Sequence, residues 1–154
     1  MLGGNGGWQL TSRRVFLVIG AGAGLAAVAG YATHAPGYDG PTLDAAQAHA
    51  GALDKTLLLI DIRRPDEWAL TGIGEGAQPL DMRADDFEAA LDRLTGGNRA
   101  LPIALICARG VRSARLAAKL SRAGFSHVID VPEGMLGSAS GPGWLARGLA
   151  VRKG

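Results

Sequence analysis

Leu105-Ile106-Cys107-Ala108-Arg109-Gly110-Val111-Arg112-Ser113 decides the fold, because an apolar run ends there in the chain's single cysteine and a helical pattern begins four residues later. Pro102 to Ile106 is continuously apolar and bounded by proline and a polar turn, which predicts a short strand buried on both faces of a parallel sheet. From Val111 to Ala123 the spacing predicts a helix: Leu116, Leu120 and Ala123 share one face, while Arg115, Lys119 and Arg122 share the other. Gly124 supplies its stop. Cys107 therefore falls at the carboxyl end of the strand, where loop amides and a helix N-terminus converge and anions are favoured. Arg109 and Arg112 add positive charge. All three influences favour thiolate over thiol, so the sulfur reads as a nucleophile rather than an inert core cysteine.

At these residues a family resemblance can be stated. Cys107-Ala108-Arg109-Gly110-Val111-Arg112-Ser113-Ala114 resembles the active loop of rhodanese-like sulfurtransferases, C-x-x-G-x-R-S-A. Upstream, the stretch Leu57 to Trp68 is similar to that family's first core strand and following turn, D-V-R-x-P-x-E-[WFY], with Asp61, Arg63, Pro65, Glu67 and Trp68 in the matching places. The resemblance spans Pro41 to Val151. It implies an α/β domain with a mainly parallel central sheet flanked by helices. It also implies movement of sulfane sulfur from thiosulfate or a persulfide donor to a thiol or cyanide acceptor through a Cys107 persulfide. The loop amides from Ala108 through Arg109, Gly110 and Val111 to Arg112 would hold donor and persulfide. No metal or organic cofactor is implied. Asp61, Arg63 and Glu67 are charges at the end of a buried strand and are expected to form a hydrogen-bonded network that holds the rim, with Ser113 in a supporting place.

Two other readings use the same cysteine. A cysteine phosphatase spaces Cys and Arg as C-x5-R, whereas four residues separate Cys107 from Arg112, which makes the loop small for phosphate. A non-catalytic binding or sulfur-carrier module is the other, and the intact Cys107 with both arginines speaks against it. The chain departs from the family pattern twice. Thr71-Gly72-Ile73-Gly74-Glu75-Gly76-Ala77 stands where G-H-I-P-G-A is usual, and Met135 to Gly143 is inserted after the turn that is usually a short G-G.

The 154 residues suffice for one domain and a short extension. The formal charge of +2 comes from Arg13 and Arg14, and after residue 35 there are 14 basic and 14 acidic residues, so overall charge offers no argument for nucleic acid. One cysteine excludes an internal disulfide, and His34, His49 and His127 lack ligand spacing.

Thr11-Ser12-Arg13-Arg14-Val15-Phe16-Leu17 resembles the twin-arginine export motif, and the uncharged run that follows suits an export signal. The expectation is a signal over residues 1–35, cleaved after small residues near Ala29 or Ala35, a domain over 36–154, and a periplasmic location. A retained membrane anchor is the alternative, because Val15 to Ala32 is uncharged for 18 residues. A dinucleotide loop in the glycines after Val15 is disfavoured, since their spacing is only G-x-G-x-G and the chain that would supply the βαβ unit behind it is already taken up by the sulfurtransferase-like pattern. The partners expected are a small sulfur donor and a thiol acceptor.

Six further elements complete the reading. A helix from Thr42 or Asp44 through Ala50, a strand over Thr56 to Ile60, a short strand over Ala77 to Leu80 and a helix over Asp85 to Leu94 precede the cysteine strand. Beyond the cysteine helix, His127 to Val131 reads as a strand, Pro132-Glu133-Gly134 as a turn towards the active rim, and Trp144 as the start of a last short helix.

Overall fold

The structure is a computed structural model and describes residues 37–154. The readings of an export signal, its cleavage sites and a dinucleotide loop lie outside the described residues. Four strands form one all-parallel sheet in the order β3 (Gln78–Pro79), β1 (Leu58–Asp61), β4 (Ile103–Ile106), β5 (Val128–Asp130). Register pairs Leu58 with Ile103 and Asp61 with Ile106, which brings the carboxyl ends of β1 and β4 level. Parallel order requires a crossover between strands, and α3 (Phe87–Thr95) and α4 (Val111–Arg122) supply two of them.

Alternate residues of the central strands face opposite layers, because successive strand side chains point to opposite sides. Ile60, Ile103 and Leu105 pack with Phe87 and Leu91 of α3 and Leu116 and Leu120 of α4. Leu59, Ala104 and Ile106 pack on the other side with Ala45 and Ala48 of α1 (Ala45–Leu53) and with Trp144 of α5 (Gly143–Ala146). Ile103 to Ile106 are all buried, which is why they read as an unbroken apolar run rather than an alternation. Trp144 is wholly buried, and truncating such a side chain to alanine costs about 3–5 kcal/mol.

The expected elements are present with shifted ends. Helix α1 is capped by Asp44, whose carboxylate accepts from the Gln47 amide in a capping box, and runs on past Ala50 to Leu53. Thr56 and Leu57 close that helix by donating their amides to Gly51, so β1 begins at Leu58 and includes Asp61. Asp86 takes the N-cap position of α3, which therefore starts at Phe87, and Gly96 in the left-handed region ends it. Two features were not anticipated. The stretch after Arg64 is a helix, α2 (Pro65–Thr71), and Ile73–Gly74 forms β2, paired antiparallel with β6 (Val151–Arg152). Among the described residues no helix is long and apolar enough to cross a membrane.

Candidate active site

Cys107 follows β4 directly, and the chain then turns through Gly110 into α4. Residue 107 is 1% exposed, while Val111 at the start of the helix is 42% exposed. The Gly110 amide donates to Sγ at 3.2 Å, and the thiol lies 3.5 Å from the Ser113 Oγ. Ser113 is completely buried and donates its own hydroxyl proton to the Gly110 carbonyl at 3.0 Å. The sulfur thus has an amide on one side and a hydroxyl on the other, both from the first turn of α4 and its cap.

The inserted segment is built into this loop. Met135 and Leu136 donate their amides to the carbonyls of Cys107 and Ala108, each at 2.9 Å, so the chain after the turn pairs with the cysteine loop. The two backbones approach each other at two points, and at each point one of them presents a glycine. Gly110 has φ +84, and a Cβ there would drive into the Pro132 carbonyl; Gly134 has φ +64, and a Cβ there would lie 2.6 Å from the Ala108 oxygen. Arg109 reaches the same segment, donating from Nη1 to the Gly137 carbonyl at 3.2 Å.

Arg112 takes a different partner. Its Nη1 and Nη2 donate to both oxygens of Glu67, at 2.8 and 2.6 Å, in a forked pair. Glu67 also accepts from the Arg64 amide at 3.0 Å, capping α2. Arg112 foremost, against partial burial, holds the Glu67 carboxyl below its usual range. Glu67 foremost, against partial burial, likewise holds Arg112 above its usual value, with a smaller attraction from Cys107.

Asp61 and Arg63 form a wholly interior pair, 2.7 Å apart. Arg63 also donates to the Thr71 hydroxyl and the Gly72 carbonyl, both at 2.7 Å, and to the Glu67 carbonyl at 3.4 Å, so the pair ties the end of β1 to α2. Asp61, Arg63 and Glu67 are thus joined, Asp61 through its carboxylate and Glu67 through its carbonyl, while the Glu67 carboxylate faces the cysteine helix.

Two acids that the sequence reading did not single out stand behind the loop. Glu133 is 1% exposed and accepts from the amides of Ala45 and Gly143, each at 2.7 Å, and from Arg147 Nε at 3.0 Å. Its one signal in the sequence is its place at the turn where glycine is usual. Asp130 is 3% exposed, and among the described residues its Oδ1 finds no hydrogen-bond partner.

Comparison with known proteins agrees with this architecture. The family model for the rhodanese-like domain matches residues 43–139. Among curated proteins none matches the chain. The polysulfide-sulfur transferase homodimer of Wolinella succinogenes is similar in structure, with a TM-score of 0.58 and 23% identity over 73% of this chain and 77% of that one. A rhodanese-related protein of Thermoplasma volcanium gives a TM-score of 0.55 and 23% identity over 75% and 100%. The rhodanese-like domain of an Anabaena protein gives 0.54 and 20% over 73% and 79%. These likenesses establish the fold alone. With a parallel sheet that ends in a cysteine loop, and a family match across most of the described domain, the chain belongs to the rhodanese-like domain family.

Proposed function

We propose that this domain is a sulfurtransferase that moves sulfane sulfur from thiosulfate or a persulfide donor to a thiol or cyanide acceptor. The observation that carries this reading is the intact cysteine loop, with the Gly110 amide directed at the Cys107 sulfur and a smaller attraction between Cys107 and Arg112. The Cys107 thiolate attacks the outer sulfur of thiosulfate; the new S–S bond forms as the old one breaks, and sulfite leaves with the electron pair. The Gly110 amide at the mouth of α4 holds the negative persulfide, and an acceptor thiolate or cyanide then removes the outer sulfur. Arg112 supports the charge on sulfur while Glu67 fixes its orientation. The polysulfide-sulfur transferase of Wolinella succinogenes shares the fold, which is consistent with this reading.

Mass spectrometry of the intact chain tests it. Thiosulfate should add the mass of one sulfur atom, and Cys107→Ser should abolish the gain. A serine variant that still gains the mass, or a parent chain that never does, sinks the persulfide route. We further propose, from Arg13, Arg14 and the uncharged run after them, that the domain works in the periplasm after twin-arginine export. Fractionation of cells that express the Arg13→Lys, Arg14→Lys chain should find it retained in the cytoplasm.

A further inference from the structure

Cys107 and Asp130 sit at the carboxyl ends of neighbouring strands, since Leu105 of β4 is in register with Asp130 of β5. Cys107, Leu105 and Val128 all face the layer of α4, so Asp130, two residues after Val128, turns its side chain to the same layer as Ser113. The Ser113 Oγ is 3.5 Å from the sulfur and donates to the Gly110 carbonyl at 3.0 Å. Cys107, Ser113 and Asp130 are all buried, and among the described residues Asp130 Oδ1 has no partner. The elements packed around the carboxyl bring no cation to it. Strand β4 is apolar throughout, the buried face of α4 is Ser113, Ala114, Leu116, Ala117 and Leu120, and the stretch from Pro41 to Leu43, which pairs with the backbone of Asp130, carries no charge. With the charge of Arg112 already answered by Glu67, a second negative charge in this buried corner is disfavoured, which couples the sulfur to the carboxyl.

We propose that Asp130 keeps the proton that Cys107 gives up, so that the site carries one negative charge shared between sulfur and carboxyl, with the Ser113 hydroxyl as the bridge. This deepens the sulfur-transfer reading and rests on it. The hydroxyl turns from the Gly110 carbonyl to Asp130. The S–H bond breaks as an O–H bond forms on Ser113, and the serine's original proton passes to the carboxylate, forming its O–H bond; nothing is oxidised or reduced. The thiolate then faces the Gly110 amide on one side and a hydroxyl on the other, and the persulfide anion inherits the same carboxyl-backed hydroxyl. Asp130 is thus a positioning residue that acts through Ser113. Burial pushes its carboxyl up to about 6, and the opposing pull of Ser113 and the Val131 amide is too weak to reverse this. Such a carboxyl accepts a proton from its neighbour far more readily than an ordinary aspartate does.

The full chain has one cysteine, so the rate of alkylation by iodoacetamide as a function of pH reports Cys107 alone and needs no sulfur donor. The parent chain should show two rises separated by a flat region that begins near pH 6, because above that pH the shared proton makes the thiolate population independent of pH. Asp130→Asn should remove the flat region and leave one rise. Ser113→Ala should keep two rises but lower the flat region by about tenfold, the loss of one hydrogen bond to an anion. A single rise in the parent chain, or an unchanged plateau height in Ser113→Ala, overturns the proposal. If Asp130→Asn does not fold, the parent and Ser113→Ala profiles decide the matter alone. A chain that never gains sulfur from thiosulfate would defeat the sulfur-transfer reading while leaving this titration measurable.

Discussion

Two acids three residues apart behave as opposites. Glu133 is buried with its charge fully answered: two amides and Arg147 donate to it, and although burial pushes its carboxyl up, these partners outweigh that and hold it below the usual range. Asp130 is buried almost as deeply, meets no cation, and is pushed up to about 6. Glu133 therefore acts as a permanent fastening between the starts of α1 and α5, whereas Asp130 is a group whose proton comes and goes near neutrality. Depth alone does not determine which role a buried carboxyl plays; the donors arranged around it do.

The contrast can be broken most forcefully at Glu133. Glu133→Gln leaves Arg147 without its anion and the amides of Ala45 and Gly143 with a poorer acceptor, and should cost about 2–4 kcal/mol of stability at neutral pH. Urea unfolding reads this directly, and an unchanged midpoint would remove the fastening role. Because the folded-state Glu133 is held below its unfolded value, its contribution is present above pH 4.5 and is lost as pH falls through the folded value, so variant and parent should converge in acid.

At Asp130 the sign reverses. Its folded carboxyl lies above its unfolded value of 3.8, so the folded state binds the extra proton between the two, and stability falls as pH rises towards 6. Between pH 5 and pH 8 the parent chain should lose about 1 kcal/mol that Asp130→Asn does not. Parallel pH curves for the two chains would show that Asp130 titrates like a surface aspartate.

The smallest effect belongs to the exposed pair of Glu88 and Lys119, 3.1 Å apart. A double-mutant cycle there should give a coupling below about 0.5 kcal/mol. A coupling as large as the Glu133 effect would mean that pairing, rather than burial with pairing, makes an acid structural.

What the sequence revealed follows from what has a period. Strand β4 and helix α4 were legible because Pro102 to Ile106 and the repeats of Leu116 and Leu120 each carry a pattern long enough to read, and together they locate Cys107. Helix α2 was taken for a turn because its seven residues open on Pro65 and bury none of their side chains, which leaves no stripe to see. Strands β2 and β6 are two residues each and exist through pairing across the length of the domain, which no local window contains. At the site, Cys107, Arg112 and Ser113 were visible in one motif. Asp130 and Glu133 were not, since a single acid at a strand end looks the same whether it meets solvent, an arginine or nothing. The partner of Arg109 was hidden for the same reason: the Gly137 carbonyl belongs to an insertion whose path depends on the turn at Gly134.

The close approaches of Gly110 to Pro132 and of Gly134 to Ala108 limit how this domain can be re-engineered. A cysteine loop taken from another family member and grafted alone would have to arrive without a side chain beside Pro132 and with its carbonyls aligned to Met135 and Leu136. A new insertion behind an unchanged cysteine loop meets the same demand from the other side. The cysteine loop and the inserted segment are therefore one module, to be exchanged as a matched pair or left as they are.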